Sequence, residues 1–390
     1  MGPAHAGDGI CGPDSQGVSA PGYLGFPIIF ALIRYLRPPR RGGLVIESAA
    51  AVEGAWRAAI RLMIPPAASM RLISIPANPV PDEAATAMLQ TPDGVLLRYA
   101  RWAPPPGRKG TVCLFQGRAE FIEKYFEVVR DLRARGFAVA TFDWRGQGLS
   151  QRQLYDRYRG HVASFSDYAI DLETFMKEVV LPDCPPPLFA LAHSMGAAVL
   201  IQAASKGHRW FDRMVLTAPM LRLARRRMLG MAPGLARILR SVGRGTAYVP
   251  GGNATVLSLQ PFSGNPATSD PVRYARTVAV LETEPTLGLG SPTIGWCDAA
   301  FRVMAQMRPA SFASRIRQPI LVVASGSDDL VSTAAIEAFA IHLRAGAHVV
   351  VPGARHEIMM ERDQYRAQFW AAFDAFVPGT ALYGSLGRLD

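Results

Sequence analysis

The chain has 390 residues, 49% of them hydrophobic and 19% charged, with a net charge of +11. That is enough apolar material for one large buried core, and it excludes a disordered polyelectrolyte. Cys11, Cys113, Cys184 and Cys297 have neither metal-like nor disulfide-like spacing, so ordinary thiols in a reducing compartment are expected, with no metal and no cofactor.

Residues 1–69 are rich in Gly, Ala and Pro and have no strand-like alternation. "PGYLGFPIIFALI" is too short to span a bilayer, and no basic residue precedes it as in a signal peptide. Met70 then opens "MRLISIPANPVPDEA", which reads like a beginning. Residues 1–69 are therefore expected to be a poorly ordered extension or a mis-assigned start, with an amphipathic anchor around "AAAVEGAWRAAIRLMI" as the rival. A chain starting at Met70 should melt at the same temperature as the full chain. A large drop would show that the extension packs on the domain.

From residue 86 the pattern is regular. "AMLQTPDGVLLRYARW" is two extended runs around Pro92-Asp93-Gly94, a hairpin signal. "TVCLFQG", "FAVATFDW", "PLFALAHS" and "RMVLTAP" are short apolar runs, as expected of strands buried on both faces. Helical-length segments lie between and after them, from Phe121 to Ala134, Ser164 to Val180 and Gly196 to Lys206. This alternation predicts a mostly parallel sheet covered on both sides. It stops after Pro219 and resumes at "PILVVASG", followed by a helix from Ser332 to Arg344, the strand "HVVVP" and a helix from Glu357 to Phe376. The interruption reads as a helical cap inserted after the sixth core strand. The expected division is 70–219 for the first part of the core, 220–317 for the cap, 318–378 for the second part of the core and 379–390 for a tail.

Ser194 stands between a strand and a helix in "LFALAHSMGAAV". Such a junction forces a tight turn that lifts the hydroxyl above the sheet edge, and the positions two before and two after must be small. Ala192 and Gly196 are small, with one methyl to spare at 192. A serine needs a base held by a carboxylate, in the chain order Ser, acid, His for this architecture. His208 follows the helix directly and precedes any candidate acid. His342 lies within a helix and His348 opens a strand, which leaves His356, just past the last strand. After Pro219 no acid occurs before Asp270, so the acid should follow "PILVVASG". The G-x-x-D spacing from Gly326 selects Asp329, and Asp328 is read as turn-forming and solvated. The oxyanion donors should be the N–H of Met195 and an N–H from the loop after "TVCLFQG", where Gly117 permits the turn and Arg118 follows. The Arg118 side chain has two readings, a ligand for an anionic substrate group or a surface partner of Glu120.

With "QGRAEFIEKYFEVVRDLRARGFAV", "DWRGQGLSQR", "RGHVASFSDYAIDLETF", "AHSMG", "TAPML", "GSPTIGW", "GSDDLV" and "GARHEIMMER" in order from Gly117 to Arg362, the chain resembles the α/β-hydrolase family. It is most similar to the bacterial lysophospholipase and monoacylglycerol lipase branch. The resemblance implies an α/β-hydrolase fold, an oxyanion loop "GRxE" at Gly117 to Glu120, and a triad on Ser194, Asp329 and His356. It also implies Gly117, Glu120 and His193 against the substrate, and a cap that supplies an apolar acyl-chain tunnel. Gln116 stands where His-Gly is more usual, Ala192 replaces a Gly, and residues 1–69 have no counterpart.

The expected activity is carboxyl-ester hydrolysis of a monoacyl lipid through an acyl-enzyme. Lysophospholipid leads, and monoacylglycerol or a general carboxyl ester follows. A non-catalytic Arg-rich membrane-surface binder on the same fold is the rival from another class. Between Leu221 and Gly245 lie Arg222, Arg225, Arg226, Arg227, Arg237, Arg240 and Arg244 with no acid. This patch has two readings, a solvated helix face or a surface for an acidic partner, either a lipid headgroup layer or a polynucleotide, of which the anionic membrane is preferred to nucleic acid. The enzyme is expected in the cytoplasm, with peripheral contact at the inner membrane face as the membrane reading's consequence.

Overall fold

The computed structural model describes residues 70–224 and 232–378. The 1–69 extension, the 379–390 tail, and Arg225, Arg226 and Arg227 of the basic segment lie outside the described residues.

Strands β1 (Ala84–Gln90), β2 (Leu96–Trp102), β3 (Thr111–Phe115), β4 (Ala138–Phe142), β5 (Leu188–His193), β6 (Arg213–Thr217), β7 (Ile320–Ser325) and β8 (Gly346–Val351) form one eight-stranded sheet in the order β1-β2-β4-β3-β5-β6-β7-β8. The hairpin read at Pro92-Asp93-Gly94 joins antiparallel β1 and β2, with Gly94 at φ +84° as such a turn demands. From β4 to β8 all neighbours are parallel.

The apolar runs are buried on both sides because successive residues face opposite layers. Cys113, Phe115, Ala190 and Ala192 belong to one core layer, and Val112, Leu114, Phe189 and Leu191 to the other. Helix α1 (Phe126–Ala134) covers the second layer; α2 (Phe165–Phe175) and α3 (Ser194–Ser205) cover the first. The helix read from Phe121 begins as a 3₁₀ turn over Ile122–Tyr125.

Between β6 and β7 come α4 (Ala232–Leu239), α5 (Pro271–Thr283) and α6 (Ile294–Met307). Local chemistry fixes where the last two begin. The Asp270 carboxylate accepts from the Val272 and Arg273 amides with Pro271 at the first helical position, and the Thr293 hydroxyl accepts from the Trp296 amide. After β7 come α7 (Thr333–Ala340) and, after β8, α8 (Asp363–Phe376). The last helix starts later than read from sequence, because Ile358–Met360 forms a separate 3₁₀ turn and the Glu361 carboxylate accepts the Ser269, Arg355 and Arg362 amides. Among the described residues no helix is long and apolar enough to cross a membrane.

Candidate active site

β5 ends at His193 and α3 begins at Ser194 with no intervening loop. The turn leaves Ser194 at φ +48°, in the left-handed region, at a cost on the order of 1–3 kcal/mol for a side-chain-bearing residue. Gly196 is required, since a Cβ there would lie 2.6 Å from the Gln116 carbonyl oxygen and 2.9 Å from that of Phe115. Ala192 is buried inside β5, paired with Phe115 and Leu216, and its methyl packs in the first core layer. The two small positions are therefore not equivalent. Gly196→Ala should destabilise by about 1–3 kcal/mol through overpacking against backbone. Ala192→Gly should cost only about 0.5–1 kcal/mol and leave turnover intact. Urea unfolding of both variants checks the contrast, and equal losses would contradict it.

His356 lies in the loop after β8. Its Nε2 is 3.0 Å from Ser194 Oγ and its Nδ1 2.8 Å from Asp328 Oδ2. The acid beside the histidine is thus Asp328, which corrects the expectation of Asp329. The Asp328 side chain is fully buried, whereas Asp329 is exposed. The physical reason is that a carboxylate has two acceptor oxygens. Asp328 Oδ1 accepts the Leu330 and Val331 amides at 2.8 and 2.9 Å, forming the turn the sequence assigned to it, and this anchoring aims Oδ2 at His356. Burial pushes the Asp328 carboxyl up, but the bond to His356, its charge and the two amides outweigh this and hold it below its ordinary value.

The loop after β3 packs against the serine turn. A Cβ on Gly117 would lie 2.9 Å from Glu120 Oε2, 3.0 Å from the His193 ring and 3.3 Å from Ser194 Cβ, so a side chain there would crowd all three. The Gly117 N–H donates to Glu120 Oε2 at 2.5 Å. Glu120 also accepts from Lys124 Nζ and Tyr125 Oη at 2.9 and 2.8 Å. Burial opposes its charge, but Lys124, His193 and these bonds bring its pKa down to about 2. Glu120 therefore lines the cavity as a brace of the loop, with its carboxylate engaged by protein donors. The Gly117 amide being taken, the Arg118 amide is the next along the loop. Met195 is the second residue of α3, where an N–H has no acceptor within the helix, at the positive end of the helix dipole.

His193 is buried, its Nδ1 3.1 Å from Thr217 Oγ1, which in turn donates to the Ala192 carbonyl. That chain makes Nδ1 the donor. Burial, only partly offset by Glu120, takes the His193 pKa down to about 4, so at neutral pH the ring is uncharged beside His356, 4.7 Å away between centroids. Gln116 points away from the site, donating to Thr141 Oγ1, while its carbonyl accepts from the Trp144 indole.

Ser194 and His356 open onto a cavity of about 570 Å³. Met220, Leu223, Leu330 and Val331 give it apolar wall; Gln260, Asn265 and Tyr274 give it polar wall. The segment between β6 and β7 supplies Trp296 and Arg273 as well. Sequence reasoning missed several lining residues, among them Trp296, Tyr274 and the pair Lys124–Glu357. Lys124 Nζ bridges Glu120 at 2.9 Å and Glu357, the neighbour of His356, at 2.6 Å, which ties the loop after β3 to the loop after β8. The only signal was the position of Lys124 one helical turn after Glu120, and of Glu357 beside His356. Cys113, Cys184 and Cys297 are free thiols.

Residues 106–363 match the family described as serine aminopeptidase, S33. Over 283 residues the chain is 30% identical to lysophospholipase L2 of Escherichia coli K12, covering 70% of this chain and 82% of that protein. It is 24% identical over 300 residues to a probable lysophospholipase L2 of Haemophilus influenzae, covering 76% and 93%. The fold is similar to that of a soluble variant of Saccharomyces cerevisiae monoglyceride lipase, with a TM-score of 0.60 at 19% identity over 75% of this chain and 96% of that one.

Proposed function

Because the chain belongs to the serine aminopeptidase S33 family of α/β-hydrolases, we propose that it is a serine carboxyl-ester hydrolase acting on monoacyl lipids, with lysophospholipid as its leading substrate. The observation that carries this reading is the hydrogen-bonded line Ser194–His356–Asp328, whose first two members line a cavity with both apolar and polar wall. The relatives named lysophospholipase support the lipid assignment.

Ser194 Oγ attacks the acyl carbonyl while His356 Nε2 takes its proton. Asp328 holds the imidazole in the tautomer with Nδ1–H and stabilises the imidazolium. The Met195 and Arg118 amides bind the oxyanion. Collapse breaks the ester C–O bond, and the alcohol leaves with the proton from His356. Water, deprotonated by the same nitrogen, then attacks the acyl-enzyme and releases the fatty acid and Ser194. His193, uncharged, leaves His356 free to take the proton. Residues 220–317 act as the cap, shaping the cavity with Trp296 and Tyr274.

Turnover of a panel of lysophospholipids, monoacylglycerols and short-chain esters tests the reading. Lysophospholipid should give the highest kcat/KM. A higher value for monoacylglycerol would move the assignment to that substrate, and turnover of short-chain esters alone would reduce it to a general carboxylesterase.

The cap also supports peripheral contact with an anionic membrane. In the described part of the basic segment, Leu235, Ile238 and Val242 are 50%, 61% and 66% exposed, and Arg237 and Arg244 are exposed beside them. Apolar and basic side chains together at one surface suit a lipid interface. Arg240 is taken by Asp298 at 2.6 Å, and Arg222 bonds the Ser332 hydroxyl. Changing Arg225, Arg226 and Arg227 to Glu should weaken hydrolysis of lipid in anionic vesicles, less so at high salt, and leave a soluble short-chain ester unaffected. Equal loss of both activities would place these arginines in the fold, and no loss of either would make the patch a solvated face.

A further inference from the structure

Among the described residues three permanent cations line the cavity, Arg118, Lys124 and Arg273, and they differ in what neutralises them. Lys124 is shared between Glu120 and Glu357. Arg273 is bonded to Glu127, Asp270 and Asp363. No carboxylate among the described residues pairs with Arg118. Its Nη2 donates to the Gly290 carbonyl at 2.7 Å, its Cζ stands 5.1 Å from the centre of the Trp296 ring, and its Nε is buried with no acceptor. Arg152, outside the cavity, likewise has no acid and a buried Nε without an acceptor, but its Nη donors are spent on the carbonyls of Gly146, Gly148, Thr286 and Gly288.

Arg118 is also held in place before any ligand arrives. Its Cζ stands over the Trp296 ring, Gly290 takes one donor, and Gly160 makes room for it, since a Cβ there would come within 2.4 Å of Nη2. Burial lowers its pKa only to about 10, so it stays charged at neutral pH. A desolvated cation with unspent donors is unfavourable by itself and becomes favourable when a counter-charge enters. A fixed planar fork suits the oxygens of a phosphate or carboxylate.

From these contacts we propose that Arg118 reads an anionic oxygen group, phosphate or carboxylate, carried by the ester that Ser194 attacks. The inference rests on ester hydrolysis at Ser194 and deepens it by naming a charge that the substrate carries. The anion has two possible sources, a phosphate on the leaving alcohol or a carboxylate at the far end of the acyl group.

Two matched substrate pairs, both monomeric in solution, separate the sources: octanoyl glycerophosphate against octanoylglycerol, and 4-nitrophenyl hydrogen glutarate against 4-nitrophenyl pentanoate. The wild-type protein should prefer the anionic member of one pair, and the pair in which it does so identifies the source. Arg118→Met should cut that preference, measured as a ratio of kcat/KM values, by about tenfold or more, the value of a hydrogen bond to a charged group. Arg118→Lys should keep part of it, since the charge stays and the fork is lost. Equal loss of both members of a pair would make Arg118 a brace of the oxyanion loop and overturn the proposal, as would a wild-type protein with no preference in either pair. If the Met variant does not fold, octyl phosphate against octanol as inhibitors of the wild-type protein decides. Stronger inhibition by the phosphate, weakened in Arg118→Lys, supports the proposal for the leaving-group side. Hydrogen glutarate against pentanoate does the same for the acyl side, and no difference in either comparison overturns it. Absence of lipid-ester turnover together with an Arg118-dependent glutarate preference would sink the lipid reading and leave this inference standing.

Discussion

Asp328→Asn should lower kcat by about a thousandfold or more, while Asp329→Asn keeps most of the wild-type activity. The two residues are neighbours of the same type, so any effect of net charge or loop composition is common to both. What differs is position. Asp328 reaches His356 Nδ1 at 2.8 Å with a fully buried side chain, and Asp329 is exposed. An amide at 328 keeps the size and can still accept the Leu330 and Val331 amides. It removes the negative charge that stabilises the imidazolium, and it lets the histidine adopt the wrong tautomer. Ser194→Ala and His356→Ala should each cost as much as Asp328→Asn or more. Pairs of these changes should cost little beyond the worst single one, because the three groups act as a unit. Steady-state kinetics on a short-chain ester, with melting curves to confirm folding, makes the comparison. A dead Asp329→Asn beside an active Asp328→Asn would contradict the geometry.

The largest expected effect on stability lies in the buried ion cluster around Arg98. Arg98, on β2, is fully buried and donates to both Glu123 oxygens at 2.7 and 2.8 Å, to Asp143 at 2.8 Å and to the Arg71 carbonyl at 3.1 Å. Asp143 also accepts the Ile122 and Leu149 amides, and Glu123 accepts the Ile73 amide. The cluster thus fastens the first described residues, the loop before α1 and the turn after β4 to one another. Arg98→Met would leave two buried carboxylates without their cation, which should destabilise the fold by about 3–5 kcal/mol. The exposed pair Lys177–Glu173 is the control, and Lys177→Met should change stability by about 0.5 kcal/mol or less. Urea denaturation reads both. Similar values for the two variants would show that the buried cluster is replaceable.

The sheet was legible because strands buried on both faces leave unbroken apolar runs, and because Pro92-Asp93-Gly94 marks the hairpin. The position of Ser194 and Gly196 at the β5–α3 junction and of His356 in the loop after β8 was legible because each follows an apolar run that reads as a strand. Asp329 was chosen over Asp328, the partner of His356, for a definite reason. Counting residues from Gly326 gives a place along the loop but not the direction of a side chain, and the loop turns between Asp328 and Val331. The amides of Leu330 and Val331, two and three residues after Asp328, were the signal that this carboxylate is anchored. Reading the turn as an alternative to catalysis overlooked its second oxygen. Glu120 was placed correctly in the loop after β3, but its carboxylate is taken by Gly117, Lys124 and Tyr125, two of which are visible only in three dimensions or at helical spacing. Lys124 with Glu357 and Arg118 with Gly290 join residues far apart in the chain, a relation that no local pattern encodes.

In the proposed mechanism Ser194 is a nucleophile made reactive by His356. Labelling with a fluorophosphonate, followed by mass mapping of the modified peptide, tests it most directly. One adduct is expected, on Ser194, formed rapidly in the wild-type protein and slowed by orders of magnitude in His356→Ala at unchanged fold. An adduct on another residue, or ester turnover that survives Ser194→Ala, would contradict it.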